Sequence, residues 1–202
     1  MISLKPAAQI ELERNEIPRR AFLWSAVAMI AGASAYRLHD AFRDRPEEHE
    51  IPPASLEPVS IVEFGNDGQR IGSKRGPKVW KPTAEWRKQL SAAAFQVTRR
   101  RGTEAAYTGR YWNSHAKAVY RCICCSNALF RSEDKFESGT GWPSFTAPIA
   151  PENVFTRVDT SFGIRQEVLC SLCDAHLGHV FSDGPPPNFL RYCMNSVALT
   201  VA

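Results

Sequence analysis

Between Cys170 and Ser196 the chain holds a Cys-x-x-Cys pair, two histidines, an aspartate, an arginine and a third cysteine, all within 27 residues. Cys170 and Cys173 are matched upstream by a second pair, Cys122 and Cys125. A turn with two intervening residues presents two sulfurs to one ion, so two such turns supply the four thiolates of a closed, tetrahedral structural zinc site. The 44 residues between Cys125 and Cys170 exceed the span of a compact zinc ribbon, where about 15–20 is usual. The metal is therefore expected to clamp one domain, with other machinery hung between its halves.

Cys193 stands outside both pairs, beside Arg191 and downstream of His176 and His179, while Cys124 lies inside the first knuckle without an evident task. Four cysteines complete a closed shell, so the metal needs neither histidine, and two histidines within reach of a spare cysteine suggest acid–base work. A lone cysteine can be an inert core residue. A neighbouring arginine and nearby histidines instead favour thiolate and make Cys193 a nucleophile. The run Ser138-Gly139-Thr140-Gly141-Trp142-Pro143-Ser144-Phe145 adds glycines that allow sharp turns and close approach, and a tryptophan able either to face a ligand or to fill the core.

The elements that must position these groups are mostly short and extended. Thr83-Ala84-Glu85-Trp86 opens a short helix, with Thr83 as N-cap and Trp86, Leu90 and Ala94 on one face. Beyond Thr108, extended runs are expected at Lys117–Arg121, Ala128–Phe130, Asn153–Val158, Ile164–Leu169 and Ser196–Val201, punctuated by prolines and glycines. Val59–Phe64 alternates as a strand should, Gly65–Gly68 gives a turn, and Gln69–Ile71 returns. The pattern predicts a small, mainly β domain of antiparallel sheets, with one or two short helices at its start.

Residues 1–35 read as a targeting leader. Arg19-Arg20-Ala21-Phe22-Leu23 resembles the twin-arginine export motif, an apolar run follows to Ala35, and Ala33-Ser34-Ala35 offers a cleavage site. The expectation is a periplasmic protein, anchored in the inner membrane if the leader is kept. Residues 36–82, charged and proline-bearing, read as a linker carrying the short hairpin, and residues 83–202 as the main domain. The net charge of +4 is mild, and Arg99-Arg100-Arg101 is its one basic cluster. A zinc-knuckle module for nucleic acid would want more, and no nucleic-acid partner is expected. A disulfide oxidoreductase would want a free redox Cys-x-x-Cys, and both pairs are committed to metal.

From about Trp86 to Leu199 the chain resembles the methionine-R-sulfoxide reductases. The stretches that carry the resemblance are Arg-Gly-Thr-Glu at 101–104, Tyr-Thr-Gly at 107–109, Cys-Ile-Cys-Cys at 122–125 and Ser-Gly-Thr-Gly-Trp-Pro-Ser-Phe at 138–145. Cys-Ser-Leu-Cys-Asp-Ala-His-Leu-Gly-His-Val-Phe, Asp-Gly-Pro and Arg-Tyr-Cys-Met-Asn-Ser continue it to 196. The resemblance implies two antiparallel sheets stitched by a zinc site of four cysteines. It implies Cys193 as nucleophile on the sulfoxide sulfur, and His179, assisted by His176 and Asp183, as proton donor to the departing oxygen. Arg191 would hold the thiolate, Asn195 would orient the site, and Trp142 would wall the substrate methyl. The implied product is methionine and a Cys193 sulfenic acid, cleared by thioredoxin-like or other thiols. The implied substrates are oxidised proteins or peptides, and the enzyme is expected to act as a monomer. Many members carry a resolving cysteine where this chain has Thr140, which leaves external thiols to do the clearing and Cys124 as the other candidate.

Overall fold

The computed structural model describes residues 57–201; the expected leader, and the expected linker as far as residue 56, lie outside them. The alternating run Val59–Phe64 forms strand β1 and pairs antiparallel with β2, Arg70–Gly76. The turn closes through Gly65 N–H to the Gln69 carbonyl at 2.9 Å, and the Asp67 carboxylate accepts from Gln69 N–H at 2.9 Å. Ile61 and Val62 are buried. The wholly buried Asn153 holds β1 as a third strand would: it accepts from Val62 N–H at 2.7 Å and donates to the Val62 carbonyl at 2.8 Å.

Two helices follow, α1 at Thr83–Gln89 and α2 at Ala92–Arg100. Trp86, Leu90 and Ala94 are all buried, as their spacing predicts, but not along one helix. The backbone is extended at Leu90, and Ser91 caps α2 by accepting from Ala94 N–H at 3.2 Å. Thr83 is not the N-cap of α1. Pro82 holds that position without a side-chain cap bond, which puts Thr83 inside the first turn. Arg101 ends α2 in the left-handed region, φ 57°.

A three-stranded sheet runs in the order β11-β3-β4, from β3 (Val119–Cys122), β4 (Ala128–Arg131) and β11 (Leu199–Val201). The larger sheet is built from β5 (Lys135–Phe136), β6 (Ser144–Phe145), β7 (Val154–Asp159), β8 (Arg165–Cys170), β9 (His176–Phe181) and β10 (Arg191–Met194). Its order is β5-β6-β10-β9-β8-β7, and every pairing is antiparallel. Phe130 stacks on Phe145 with centroids 4.5 Å apart, and Tyr120 meets Phe145 edge-on at 5.0 Å. With Trp86, Phe95, Leu177 and Met194 these rings form one core. The mainly β architecture expected from the sequence is the one found. Each Cys-x-x-Cys begins where a strand ends, Cys122–Cys125 after β3 and Cys170–Cys173 between β8 and β9. No helix among the described residues is long and apolar enough to cross a membrane.

Candidate active site and metal centre

The two knuckles meet. The sulfurs of Cys122, Cys125, Cys170 and Cys173 all lie within 4.8 Å of one another, and the Cys122–Cys173 and Cys125–Cys170 pairs are each 3.6 Å apart. A disulfide needs about 2.05 Å, so these are not bonded pairs. A tetrahedral ion with roughly 2.3 Å bonds to sulfur would set sulfurs about 3.8 Å apart, and the cluster fits that demand. Burial alone would keep Cys170 protonated, yet hydrogen bonds from Cys122, Cys125, Cys173 and Asn127 hold its thiol well below the ordinary value. Cys124 is buried beside Cys122, Cys173 and Thr98, outside the four-sulfur set.

Cys193 sits in β10, paired with His179 of β9 on one side and Ser144 of β6 on the other. His179 is paired in turn with Glu167 of β8, and Glu167 with Arg157 of β7. Directly paired residues of antiparallel strands project from the same face. A single row therefore crosses the sheet as Arg157, Glu167, His179, Cys193 and Ser144. Cys193 and His179, read as partners from the sequence, are neighbours in this row.

The row is fixed by charge. Glu167, 1% exposed, accepts from His176 Nδ1 at 2.7 Å, from Arg157 Nε at 2.8 Å and from Arg101 Nε at 3.0 Å. Burial would raise its pKa, but these bonds outweigh burial and hold the carboxyl far below the usual range. His176 therefore donates through Nδ1, and its buried Nε2 has no partner among the described residues. His179 Nε2 is 2.8 Å from the Asp159 carboxylate, which Arg165 braces at 2.6 Å. Asp159 is held ionised against burial by the Ser161 N–H, His179 and Arg165, so His179 gives it the Nε2 proton and keeps Nδ1 as the lone-pair nitrogen of the neutral ring. Burial lowers the His179 pKa, and Asp159 offsets this only in part.

The remaining expected residues are placed differently from one another. Asp183 does not touch either histidine; it grips Arg191 with two bonds of 2.8 and 2.9 Å. Arg191, thus oriented and lying 4.5 Å over Phe181, acts with Thr140 and Ser144 to favour the charged form of the Cys193 thiol. Asn195 accepts from Glu104 N–H at 2.9 Å and donates to the Leu177 carbonyl at 3.0 Å, so its amide ties the segment at Glu104 to β9. Trp142 is half-buried, its Nε1 donating to the Glu104 carbonyl at 3.1 Å. The expectation that arginine and histidines favour thiolate at Cys193 does not hold in the free protein. Burial pushes this thiol up, and Arg191, Thr140 and Ser144 oppose it without winning.

Four contributors were not singled out from the sequence. Glu167 and Asp159 hold the histidines. Ser144 lies next to Cys193 and bonds Ser138 at 2.7 Å, which reaches Thr140 at 2.8 Å, a chain of hydroxyls along one flank of the sulfur. The Glu104 carboxylate accepts from Ser196 N–H at 2.6 Å and Val197 N–H at 3.0 Å, fixing the chain just after β10. Gly178 is a signal of close approach beside Cys193. A Cβ there would stand 2.9 Å from Met194 Cα and nearer still to the Cys193 carbonyl oxygen.

A model of the SelR domain matches residues 90–202, more than half of the chain. The chain is similar to the peptide methionine sulfoxide reductase MsrB of Herminiimonas arsenicoxydans, 53% identical over 123 residues, which cover 60% of this chain and 90% of that protein. It is similar also to the MsrB of Thiobacillus denitrificans, 52% identical over 121 residues, covering 59% of this chain and 92% of the other. The chloroplastic peptide methionine sulfoxide reductase B1 of Arabidopsis thaliana is 56% identical over 117 residues, 57% of either chain. With its matched domain, its antiparallel fold and its four-cysteine cluster, this chain belongs to the SelR-domain family, the B class of peptide methionine sulfoxide reductases.

Proposed function

We propose that the protein reduces methionine-R-sulfoxide in peptides and proteins, with Cys193 as nucleophile. The observation that carries the reading is the pairing of Cys193 with His179 on one sheet face, outside the metal cluster. Sulfoxide sulfur resists attack until its oxygen is protonated, so nucleophile and acid must act together. The free site stores the needed proton on sulfur, because burial raises the Cys193 thiol and lowers His179. The lone pair on His179 Nδ1 can take that proton when substrate arrives, and the resulting imidazolium, held by Asp159, can give it to the sulfoxide oxygen.

The step balances. A bond forms between Cys193 sulfur and the substrate sulfur, the protonated oxygen passes to Cys193, and methionine leaves. The transient sulfur–sulfur bond breaks as the oxygen moves and methionine leaves, and the cysteine becomes a sulfenic acid by giving the two electrons that reduce the sulfoxide. Arg191, Thr140 and Ser144 each favour the charged form of the thiol, and so stabilise negative charge as it develops on the sulfur. Trp142 offers the substrate methyl an apolar wall. An external thiol, thioredoxin-like or small, then forms a mixed disulfide with Cys193 and releases water, and a second thiol frees the enzyme. Cys124 is not expected to substitute for it, since its sulfur neighbours are the metal cysteines.

The four clustered cysteines would hold zinc as a structural ion, which joins the two knuckles and takes no part in the reaction. The leader read at 1–35 supports export to the periplasm by the twin-arginine route; a fusion of that segment remaining cytoplasmic would end this part of the reading.

The deciding experiment supplies separated R and S epimers of a methionine sulfoxide peptide to the wild type and to Cys193→Ser. Turnover of the R epimer alone, lost in the serine variant with zinc retained, is expected. One equivalent of R epimer without reductant should leave a trappable sulfenic acid on Cys193. Appreciable turnover by the serine variant would refute the assignment.

A further inference from the structure

Cys193 lies between two strands that bring it different chemistry. β9 supplies His179 on one side, and β6 supplies Ser144 on the other. Directly opposite residues of an antiparallel pair have Cβ atoms about 4.5–5.5 Å apart, so the Ser144 hydroxyl shares a face with the sulfur. Ser144 is wholly buried and is the inner end of a chain. Its Oγ lies 2.7 Å from Ser138 Oγ, which lies 2.8 Å from Thr140 Oγ1. Ser138 and Thr140 are half-buried, so the chain runs from the surface to the flank of Cys193. Its loop is pinned: Tyr107 Oη donates to the Gly139 carbonyl at 2.5 Å, and Tyr107 N–H to the Gly141 carbonyl at 2.8 Å.

Proton counting gives the chain a direction. Each hydroxyl has one proton to give. Ser144 gives its own to the Trp142 carbonyl at 3.2 Å, so Ser138 donates to Ser144 and Thr140 donates to Ser138. Every proton then points inwards, and the Thr140 oxygen keeps lone pairs that accept one from solvent.

A second proton is what the reaction cycle lacks. On the reductase reading above, on which this inference rests, His179 spends its proton on the sulfoxide oxygen, and burial disfavours recharging the ring. A thiolate then attacks the sulfenic sulfur. A sulfur–sulfur bond forms, the sulfur–oxygen bond breaks, and the oxygen leaves with the bonding pair. The thiol sulfur ends one oxidation level higher and Cys193 one lower. Unprotonated, that oxygen leaves as hydroxide, which is costly because the pKa of water is about 15.7.

We infer that Thr140, Ser138 and Ser144 form a proton relay that protonates the oxygen leaving Cys193 when an external thiol reduces the sulfenic acid. Ser144 turns its proton from the Trp142 carbonyl to the departing oxygen and takes one from Ser138. Ser138 takes one from Thr140, and Thr140 takes one from solvent. The two half-reactions thus draw their protons from opposite flanks of one sulfur. Ser138 acts through the other two hydroxyls, as a positioning residue.

The test separates the half-reactions in the full-length protein, as wild type, Ser138→Ala and Ser138→Thr. One equivalent of an R-sulfoxide peptide without reductant gives the rate of methionine formation. Dithiothreitol added afterwards gives the rate at which trappable sulfenic acid disappears. Ser138→Ala should form methionine at the wild-type rate. It should lose sulfenic acid about tenfold more slowly, less than the roughly 10²–10⁴ a general acid supplies, because water replaces the missing hydroxyl. Ser138→Thr keeps a hydroxyl and should match wild type in both steps. Slowing of the first step by Ser138→Ala, alone or with the second, would mean that the residue only shapes the loop, and would overturn the proposal. No slowing of either step, or a threonine variant as slow as the alanine one, would overturn it too. Failure of wild type to yield methionine would defeat the reductase reading itself, a result distinct from all of these.

Discussion

Replacing Gly178 by alanine tests whether the spacing of β9 and β10 sets the chemistry. Gly178 lies opposite Met194, one residue from the His179–Cys193 pair. A Cβ at this position would stand 2.9 Å from Met194 Cα and 3.0 Å from the Cys193 carbonyl carbon. Carbon atoms pack at about 3.5–4.0 Å, and the Cys193 carbonyl oxygen would stand closer to the new Cβ than either carbon, so the strands must part by roughly 1 Å or more. Neither obstacle can swing away, because both are backbone. Overpacking of this kind costs about 1–3 kcal/mol, which a domain of ordinary stability survives. Catalysis is less forgiving, since a displacement near 1 Å can cost about a hundredfold in rate. Gly178→Ala is therefore expected to remain folded and to keep its metal, with a fall of about a hundredfold in kcat/KM for an R-sulfoxide peptide. Zinc content and the near-ultraviolet circular dichroism spectrum monitor the fold alongside the kinetics. A variant with wild-type kcat/KM would refute the claim that this close approach positions the sulfur.

Two further predictions concern the clamp and the buried charge. Cys122→Ser should bind no zinc and melt far below wild type, because structural zinc contributes about 10–16 kcal/mol in small sites, as much as a whole domain's stability; a metal-free variant with native melting would show that the cluster is not a clamp. Glu167→Gln should lower stability at pH 7 by about 2–4 kcal/mol, nearer the low end of a broken buried pair because its guanidinium partners are partly solvated. The folded pKa of Glu167 is depressed, so its contribution is present above the unfolded value of about 4.3 and is lost progressively as pH falls from there towards the depressed folded value. Melting temperature measured against pH should then fall less steeply on the acid side in the variant, and an unchanged acid limb would contradict this account.

The parts legible in the sequence are those whose chemistry is local. Two Cys-x-x-Cys turns announce a metal because both sulfurs of each pair come from one turn, and Val59–Phe64 announces a strand by its own alternation. Cys193 was identifiable by exclusion from the knuckles. Glu167 was not legible, since Gln166-Glu167 at the start of an apolar run looks like the solvated end of a strand. It is buried only because β8 has β9 on one side and β7 on the other, with Arg101 arriving from the end of α2. Asp183 shows the opposite error. It lies four residues from His179 in the chain, yet the β9–β10 connection turns it towards Arg191. The strand character of His176–Phe181 was hidden by its two histidines and glycine, residues of the kind a strand of the proposed site would carry.

The four-cysteine cluster and the row proposed to be catalytic are mechanically linked. Cys170 ends β8, and Cys173 lies just before β9, so the second knuckle is the turn that registers the strand of Glu167 against the strand of His176 and His179. That register contains an irregularity between Val168 and Leu169, and a one-residue slip would carry the histidines to the opposite face. The first knuckle anchors the other side: Ile123 N–H donates to the Ala198 carbonyl at 3.0 Å, three residues after Asn195 and on the segment that leaves β10. An ion held by both knuckles would constrain β8 and β9 at one end and the exit of β10 at another, with Cys193 and His179 between the fixed points. On the proposed mechanism, a metal remote from the reacting atoms would then hold them in place. The proposed reduction needs a sulfur and an imidazole to keep one spacing, and a sheet of short strands maintains that spacing when the turns joining its strands cannot slide.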